Sequence, residues 1–427
     1  MKKYRTGLLV LLAIIIVFIG SLSFVSFSGA FSSDKKIDGI EDVAIKFDDF
    51  EIPKDVKVVG IGEATHGNKE LQIIKREILE KVVNYGDGRA IAFEISVGEG
   101  LMLNDAIHDP DSDLVAAVGD QTYPLYDTQQ IVDLLQYMKD YNMTVPYEES
   151  LMFYGVDMQD KYTGVYYLQE LIKKGTDLLS KEEQDVISSI ELSDFNQSIE
   201  KRDFYQGVYD RLSASDNLKE KQLALVFEMI LERIDSPDLE TETKEFGDNR
   251  DYCMGKNLMS CWTLEDYRGY SQIVITGHNA HVMKGSASCI YDEDDLTMGD
   301  YIDRLSGGSY FCIGTDYYNA VVDIHVAGTY DDKYERTTIS TCSENTLAYQ
   351  AKFMEDGRFC LDFSKITDEN SKVYDIINNY NFMGIVGEGY SPSQDLYKGE
   401  RMKVIATEKF DAVIYYYSIT PIKTIHY

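Results

Sequence analysis

Residues 56–71 (VKVVGIGEATHGNKEL) constrain the fold of this chain more than any other part of its sequence. An apolar run ends at Gly62, and Glu63 and His66 follow directly. From Leu71 onward the apolar residues recur every three or four positions, so we predict that a buried strand turns straight into a helix. In open α/β sheets such a turn lies at the carboxyl end of a strand, where ligands bind. We therefore expect a functional site here. The alternative is an ordinary loop between the strand and the helix, in which the polar residues are merely solvated and Asn68 is the N-cap of the helix.

Two further predicted strands end in side chains that suit catalysis. The predicted strand 89–93 ends at Glu94, and the apolar run 273–276 is followed by His278 and His281. Only six histidines occur in the chain, so the presence of three next to two strand ends is a strong chemical signal. Because carboxyl ends of parallel strands share one edge of a sheet, we expect these groups to meet in one site.

Length and charge limit the classes of protein that the chain can belong to. It has 427 residues, with 41 basic against 73 acidic residues and a formal net charge of -32. The negative electrostatic field of such a protein repels the phosphate backbone of a nucleic acid, so we expect no nucleic-acid partner. The length predicts one large domain with insertions or several domains. We divide it into the first part of an α/β core (34–107), a mainly helical insertion (108–265) and the second part of the core (266–427).

The first 33 residues have the features of a targeting segment. Lys2, Lys3 and Arg5 precede an uncharged stretch whose apolar core, residues 8–27, is long enough to cross a bilayer at ~20 residues. Basic residues on the amino side place that end in the cytoplasm. We therefore predict a single N-terminal membrane anchor with the catalytic part outside. A cleaved signal peptide, which would give a secreted protein, is the alternative, since residues 28–30 are small.

Six cysteines occur, all in the second half of the chain: Cys253, Cys261, Cys289, Cys312, Cys342 and Cys360. None forms a CxxC pair, which argues against a zinc ribbon or a thioredoxin-type site. An even number in an extracytoplasmic compartment predicts at least one disulfide.

Six short motifs follow one another along the chain and together resemble the erythromycin esterase family. They are residues 62–67 (GEATHG), 93–94 (FE), 154–158 (YGVDM), 249–251 (NRD), 277–281 (GHNAH) and 410–414 (FDAVI). The resemblance spans roughly residues 56–421. It implies an α/β core with a central β-sheet flanked by helices, plus a largely helical insertion. It also implies hydrolysis of a small-molecule ester or lactone, as in macrolide-resistance members. The family's catalytic residues carry over onto Glu63, His66, Glu94, Arg250, His278 and His281.

The residues suit ester hydrolysis by themselves. The pKa of an unperturbed histidine lies nearest neutral pH, so we predict His66 as the general base for water. Glu63 or Glu94 would orient the imidazoles, and Arg250 with a second histidine would support the developing oxyanion. No G-x-S-x-G motif is visible, so we expect water rather than serine as nucleophile. We predict neither cofactor nor metal.

Other interpretations stay open from the sequence. Three histidines and two glutamates in a cleft also suit a metal- or haem-binding module at the cell surface without turnover. However, Glu63 and His66 lie on a turn rather than in a helical H-E-x-x-H motif. A cell-surface interaction protein with a decayed site is a third class. The chain departs from the family's pattern in its N-terminal segment, in its six cysteines and in Gly277, where we expect a larger residue. The N-terminal segment and the cysteines suggest a secreted relative with a substrate other than a macrolide.

Overall fold

A computed structural model describes residues 35–121, 124–236, 244–286, 295–326, 335–389, 391 and 400–425. The predicted membrane segment, residues 8–27, lies outside these ranges. Within them, no helix has both the length and the apolar character needed to cross a membrane.

The strands, in chain order, are β1 (Val58–Glu63), β2 (Gly88–Ser96), β3 (Met152–Asp157), β4 (Gln272–His278), β5 (Tyr310–His325), β6 (Arg336–Cys342), β7 (Arg358–Asp362), β8 (Asn381–Gly384), β9 (Arg401–Val404) and β10 (Ala412–Ile419). Eight of them form one sheet in the order β3-β2-β4-β1-β5-β10-β7, with β6 paired to β5. The pairs from β3 through to β10 are parallel, whereas β7 and β6 run antiparallel to their neighbours. Strands β8 and β9 form a separate antiparallel pair.

The helices, in chain order, are α1 (Ile40–Val43), α2 (Lys69–Tyr85), α3 (Val97–His108), α4 (Leu114–Gly119), α5 (Gln129–Asn142), α6 (Thr163–Lys174), α7 (Lys181–Ser188), α8 (Phe195–Glu200), α9 (Arg202–Ser213), α10 (Leu218–Asp235), α11 (Lys244–Arg268), α12 (Asn279–Val282), α13 (Met298–Ser306), α14 (Thr346–Gln350), α15 (Lys372–Ile377) and α16 (Ala406–Lys409). Residues 108–265 supply strand β3 to the sheet as well as half of these helices, α4 to α11, the last of which continues to Arg268.

The sheet is buried on both faces, which explains why its central strands are continuous apolar runs. All six residues of β1 are buried. Val58 packs in the core cluster on one face, together with helices α6, α10 and α11. Its neighbour Val59 packs in the cluster on the other face, together with α2 and α5. The predicted α/β class with a central sheet flanked by helices is confirmed.

Strand β5 differs from the prediction. The apolar patterning of residues 310–315 and 319–326 predicts a pair of strands. The structure instead has one long strand whose antiparallel partner is β6. The polar residue Asp316 suggests a break in the apolar pattern, yet it is fully buried. Its carboxylate accepts hydrogen bonds from the backbone of Gly384 (2.9 Å) and from Asn345 Nδ2 (2.7 Å). Because these donors satisfy the carboxylate, the strand continues through it.

The predicted disulfide is not found among the described cysteines. Cys253, Cys261, Cys312, Cys342 and Cys360 are all free, and Cys289 lies outside the described residues. All except Cys342 are buried. Burial raises the pKa of the Cys360 thiol to about 12, so this side chain acts as a small apolar group rather than a reactive one.

Candidate active site

The turn after β1 is built by close backbone approaches. A Cβ atom on Gly62 would lie 2.2 Å from Asn279 Oδ1, and one on Gly67 would lie 1.9 Å from the carbonyl oxygen of Asp323. Only glycine fits at either position. Asn68 is the N-cap residue of α2, as predicted, but its side chain makes no capping bond. Its amide donates instead to backbone carbonyls of β5 and of the segment after β10, which ties the turn to the sheet.

Glu63, the last residue of β1, is fully buried and lies in a cluster of polar partners. Lys75 of α2 places its Nζ atom 2.9 Å from Glu63 Oε1, and it is fully buried as well. Gln72 Nε2 donates to Glu63 Oε2 (3.2 Å), and the Tyr126 hydroxyl donates to Oε1 (3.3 Å). His66 Nδ1 faces Glu63 Oε2 at 3.7 Å. A buried ion pair thus holds one carboxylate oxygen, while the other faces an imidazole.

The two histidines nearest Glu63 differ in their basicity. Burial alone would lower the pKa of His66, but the Glu63 carboxylate outweighs it, and the pKa lies above its ordinary value. The His278 ring lies 5.1 Å from the His66 ring, centroid to centroid. Burial and the neighbouring charge on His66 lower the pKa of His278 to about 3. His66 is therefore the stronger base of the pair, and His278 is neutral across the physiological range.

Strand pairing brings His278 to this position. In the register of β1 and β4, Glu63 lies directly beside His278. Among the described residues, neither His66 Nδ1 nor His278 Nε2 has a hydrogen-bond partner, although both atoms are buried. Buried polar atoms are nearly always paired. The His66 nitrogen faces the Glu63 carboxylate just beyond hydrogen-bond distance (3.7 Å), so the His278 nitrogen is the one left for a water or a ligand.

Glu94 of β2 forms the second centre of the site. Its Oε1 atom lies 3.0 Å from Arg250 Nη2 and 3.4 Å from His281 Nε2. Its Oε2 atom accepts a hydrogen bond from the backbone of His278 (3.1 Å), which joins the two centres. Burial would raise the pKa of Glu94, but His281 and Arg250 hold it well below its usual range. The carboxylate is therefore ionised.

Two aspartates outside the predicted set hold the cations of the second centre. Arg250 makes a two-pronged contact with Asp157 at the end of β3, with distances of 3.1 and 2.8 Å. His281 Nδ1 lies 2.8 Å from Asp251 Oδ1. Burial lowers the pKa of His281, but Asp251 and Glu94 together raise it to about 9. At neutral pH the site thus contains an imidazolium beside a guanidinium.

All six predicted residues lie together at the carboxyl edge of the sheet, while their catalytic roles stay predictions. The site also contains five residues to which no role was predicted: Lys75, Gln72, Tyr126, Asp157 and Asp251. One signal was visible for Lys75, because it lies four residues after Leu71 on the apolar face of α2. A charge on a buried face needs a buried partner. His325, which we expect to be structural, ends β5 opposite Arg336 of β6.

Gly277 is explained by the second centre. A Cβ atom at this position would lie 2.8 Å from Glu94 Oε2 and 3.3 Å from Glu94 Cβ. A larger residue, which the family's pattern led us to expect, would push the carboxylate out of place.

Gly277→Ala is therefore expected to lower the rate of the catalysed reaction, because Glu94 must move away from Arg250 and His281. A displacement of about 1 Å costs on the order of 10²-fold. Steady-state kinetics should be measured beside Gly207→Ala, since a Cβ atom on Gly207 of α9 would meet nothing within 4 Å. Equal activity of the two variants would contradict the packing argument.

Comparisons with known proteins give a family and a fold. The family model described as erythromycin esterase matches residues 86–419, a range that begins after Glu63 and His66. A succinoglycan biosynthesis protein of known structure is 17% identical, with a TM-score of 0.67, over 87% of this chain and 90% of that one. A Bacillus cereus protein is 19% identical, with a TM-score of 0.66 and the same coverage. A mutant of the erythromycin esterase EreC, in its open conformation, is 14% identical over 88% of this chain and 93% of its own, with a TM-score of 0.54. Because the sequence identities are this low, the three structures show that this chain has the same fold as they do, and nothing about its function. The curated proteins contain no match.

Proposed function

This chain belongs to the erythromycin esterase family, and from that premise we propose that it is a hydrolase that cleaves an ester or lactone with water activated by His66. The observation that carries the proposal is the buried Glu63–His66 pair, with Glu63 Oε2 3.7 Å from His66 Nδ1. A carboxylate at Nδ1 stabilises the imidazolium that forms when the other ring nitrogen takes a proton. Nε2 of His66 is thus the atom that would accept the proton of the attacking water.

His66 is a better candidate for the base than His278. Its pKa lies above the ordinary histidine value, whereas the pKa of His278 is lowered to about 3. A base is most effective when its pKa lies near the working pH, because it is then both unprotonated and strong enough to take a proton. We assign to His278 the binding of the water or the substrate through its unpaired ring nitrogen.

Arg250 and His281 are positioned to stabilise negative charge. Both are cations at neutral pH, and both are anchored by carboxylates, so they need little rearrangement during the reaction. In ester or lactone cleavage, attack by water turns the carbonyl oxygen into an oxyanion. A donor pair of this kind, held beside Glu94, would stabilise that charge. Collapse of the intermediate then expels the alcohol, which takes up the proton from His66.

The substrate class is a small-molecule ester or lactone. One structural relative carries the name erythromycin esterase and another the name succinoglycan biosynthesis protein, so the fold is not confined to proteins named after macrolides. A test of the proposal should therefore include simple esters, lactones and macrolides.

Turnover of this panel by the purified protein, followed by mass spectrometry, tests the proposed function. Hydrolysis adds one molecule of water to a lactone and splits an ester into two products. We expect the rate to be unchanged by a chelator, because Lys75 and Arg250 already pair with the carboxylates that a metal would use. Bound metal or haem in the purified protein, with no turnover of any substrate, would favour the alternative of a binding module.

We also propose that the catalytic part lies outside the cytoplasmic membrane. Lys2, Lys3 and Arg5, which precede the uncharged N-terminal stretch, support this orientation. Protease added to intact protoplasts is expected to degrade the catalytic part if the segment stays in the membrane. If the segment is cleaved, the catalytic part is expected in the medium. A cytoplasmic protein assayed in the same sample is the control. Full protection of both proteins would reverse the assignment.

A further inference from the structure

A cavity of about 950 Å³ lies between helices α3, α4 and α6 and the beginning of α10. Its lining includes His108 and Ser150, whose side chains lie 2.8 Å apart. Ser150 comes just before the amino end of β3, whereas the candidate catalytic residues lie at the carboxyl edge of the sheet. None of the six candidate catalytic side chains lines it. Its volume lies within the range of ~300–1,000 Å³ that small-molecule sites occupy. The fold therefore contains a second space of ligand size, separate from the hydrolytic site.

The walls of this cavity are acidic. Among the described residues that line it, seven are aspartate or glutamate and two are lysine. One of the seven is Asp105 of α3, whose Oδ2 atom accepts a hydrogen bond from the hydroxyl of Tyr167 (3.3 Å). Its side chain is exposed, yet partial desolvation raises the pKa of Asp105 to about 6, while Lys174 and Lys219 act against this shift. The two lysines thus compensate this carboxylate only in part.

A second, independent group in the wall lacks a partner. Gln121 is 8% exposed, and its Nε2 atom donates to the carbonyl oxygen of Val118 (2.9 Å). Its Oε1 atom is buried and has no hydrogen-bond partner among the described residues. A buried acceptor without a donor is costly, and a ligand that donates a hydrogen bond would satisfy it.

Aromatic faces complete the walls. Tyr147, Tyr166 and Tyr167 all line the cavity, and the hydroxyl of Tyr147 is occupied by Gln222 Oε1 at 2.6 Å. The ammonium group of Lys219 lies 4.9 Å from the centroid of the Tyr147 ring. The Tyr147 ring is therefore already in contact with the chain's own cation, and Tyr166 and Tyr167 are the rings left for a ligand.

We infer that this cavity binds a small organic molecule that carries an ammonium group. An ammonium group has donors and no acceptor, which matches walls that offer the Asp105 carboxylate and the Gln121 carbonyl. Its charge is attracted by the excess of carboxylates, and the tyrosine rings accept both the cation and the carbon skeleton. A bare metal ion would use neither the volume nor the rings.

A matched pair of probes tests this inference. Cyclohexylamine and cyclohexanol have the same six-membered carbon ring. At neutral pH the first carries an ammonium group, and the second carries a hydroxyl group at the same position. Calorimetric titration of the full protein at neutral pH is expected to give saturable binding of the amine, with the alcohol bound at least about tenfold more weakly.

Variants assign the binding to the cavity. Asp105→Asn keeps an acceptor for Tyr167 and is expected to weaken amine binding by about tenfold or more, while Gln121→Leu weakens it roughly threefold to tenfold. Asp266→Asn, which removes an exposed carboxylate of α11 outside the cavity, is the charge-matched control and should leave the affinity unchanged. His66→Ala should also bind the amine normally, which separates this test from that of the proposed function. Equal binding of the two probes, no saturable binding of the amine, or an unchanged affinity in Asp105→Asn would overturn the inference.

Discussion

Replacing His66 by alanine is expected to lower kcat for ester or lactone cleavage by ~10²–10⁴-fold, the usual contribution of a positioned general base. The side chain lies at the turn after β1, where Glu63 raises its pKa and leaves one ring nitrogen for water. His278 cannot replace it, because a base with a pKa of about 3 is too weak to take a proton from water efficiently. The measurement is kcat and KM on the best substrate of the panel, with circular dichroism to verify the fold.

His325→Ala is the matched control for this loss. His325 is a buried histidine at the end of β5, and we expect it to be structural. Its replacement should leave kcat nearly unchanged, even if the protein becomes less stable. A His66→Ala enzyme with near-normal kcat would contradict the assignment of the base.

Lys75→Met is expected to destabilise the protein by ~3–5 kcal/mol, because it leaves the Glu63 carboxylate buried without its cation. Both side chains are fully buried, with the two charged atoms 2.9 Å apart. The ammonium also lies 4.3 Å from the centroid of the Tyr126 ring. Methionine keeps a similar length but removes the charge and the hydrogen bond that the ammonium group donates to Gln72 Oε1. Denaturant unfolding of both proteins, with comparison of the midpoints and slopes, measures the difference.

Two comparisons separate charge pairing from packing. The double variant Lys75→Met/Glu63→Gln removes both charges and should recover much of the lost stability, since the penalty comes from an unpaired buried charge. Lys181→Met breaks an exposed ion pair with Asp185 (2.8 Å) and should have no measurable effect. If the Lys75 and Lys181 variants were equally stable, the buried pair would not have the role given to it here.

Strand ends and apolar periodicity were sufficient to predict the turn after β1 and the meeting of Glu94 with the histidines. These features are local, because an apolar run and the polar residue that ends it are neighbours in the chain. The strand order β3-β2-β4-β1-β5 is not local, since it depends on which strands pair across hundreds of residues. The direct pairing of Glu63 with His278 follows from that order and from the register, and neither can be read from spacing.

The partners of charged groups were the hardest part of the site to predict. Lys75 sits on the apolar face of α2, yet only the folded sheet shows that its partner is Glu63. Gly277 looked like a departure from the family, and its cause, the nearby Glu94 carboxylate, comes from a neighbouring strand. The cysteines misled us because an even count was taken as a sign of pairing, whereas the five described thiols are free.

Water activation by His66, with its imidazole held by Glu63, should be visible in the pH dependence of kcat/KM. His66 must be unprotonated to act, so the rate should rise with pH through its raised pKa. It should fall as His281 loses its proton with a pKa of about 9. In the double variant Lys75→Met/Glu63→Gln the charge that raises the pKa of His66 is gone, while burial still lowers it.

In this variant we expect the rising limb to move to lower pH, whereas the falling limb, set by Asp251 and Glu94 around His281, stays in place. A rising limb that does not move would show that a group other than His66 activates the water.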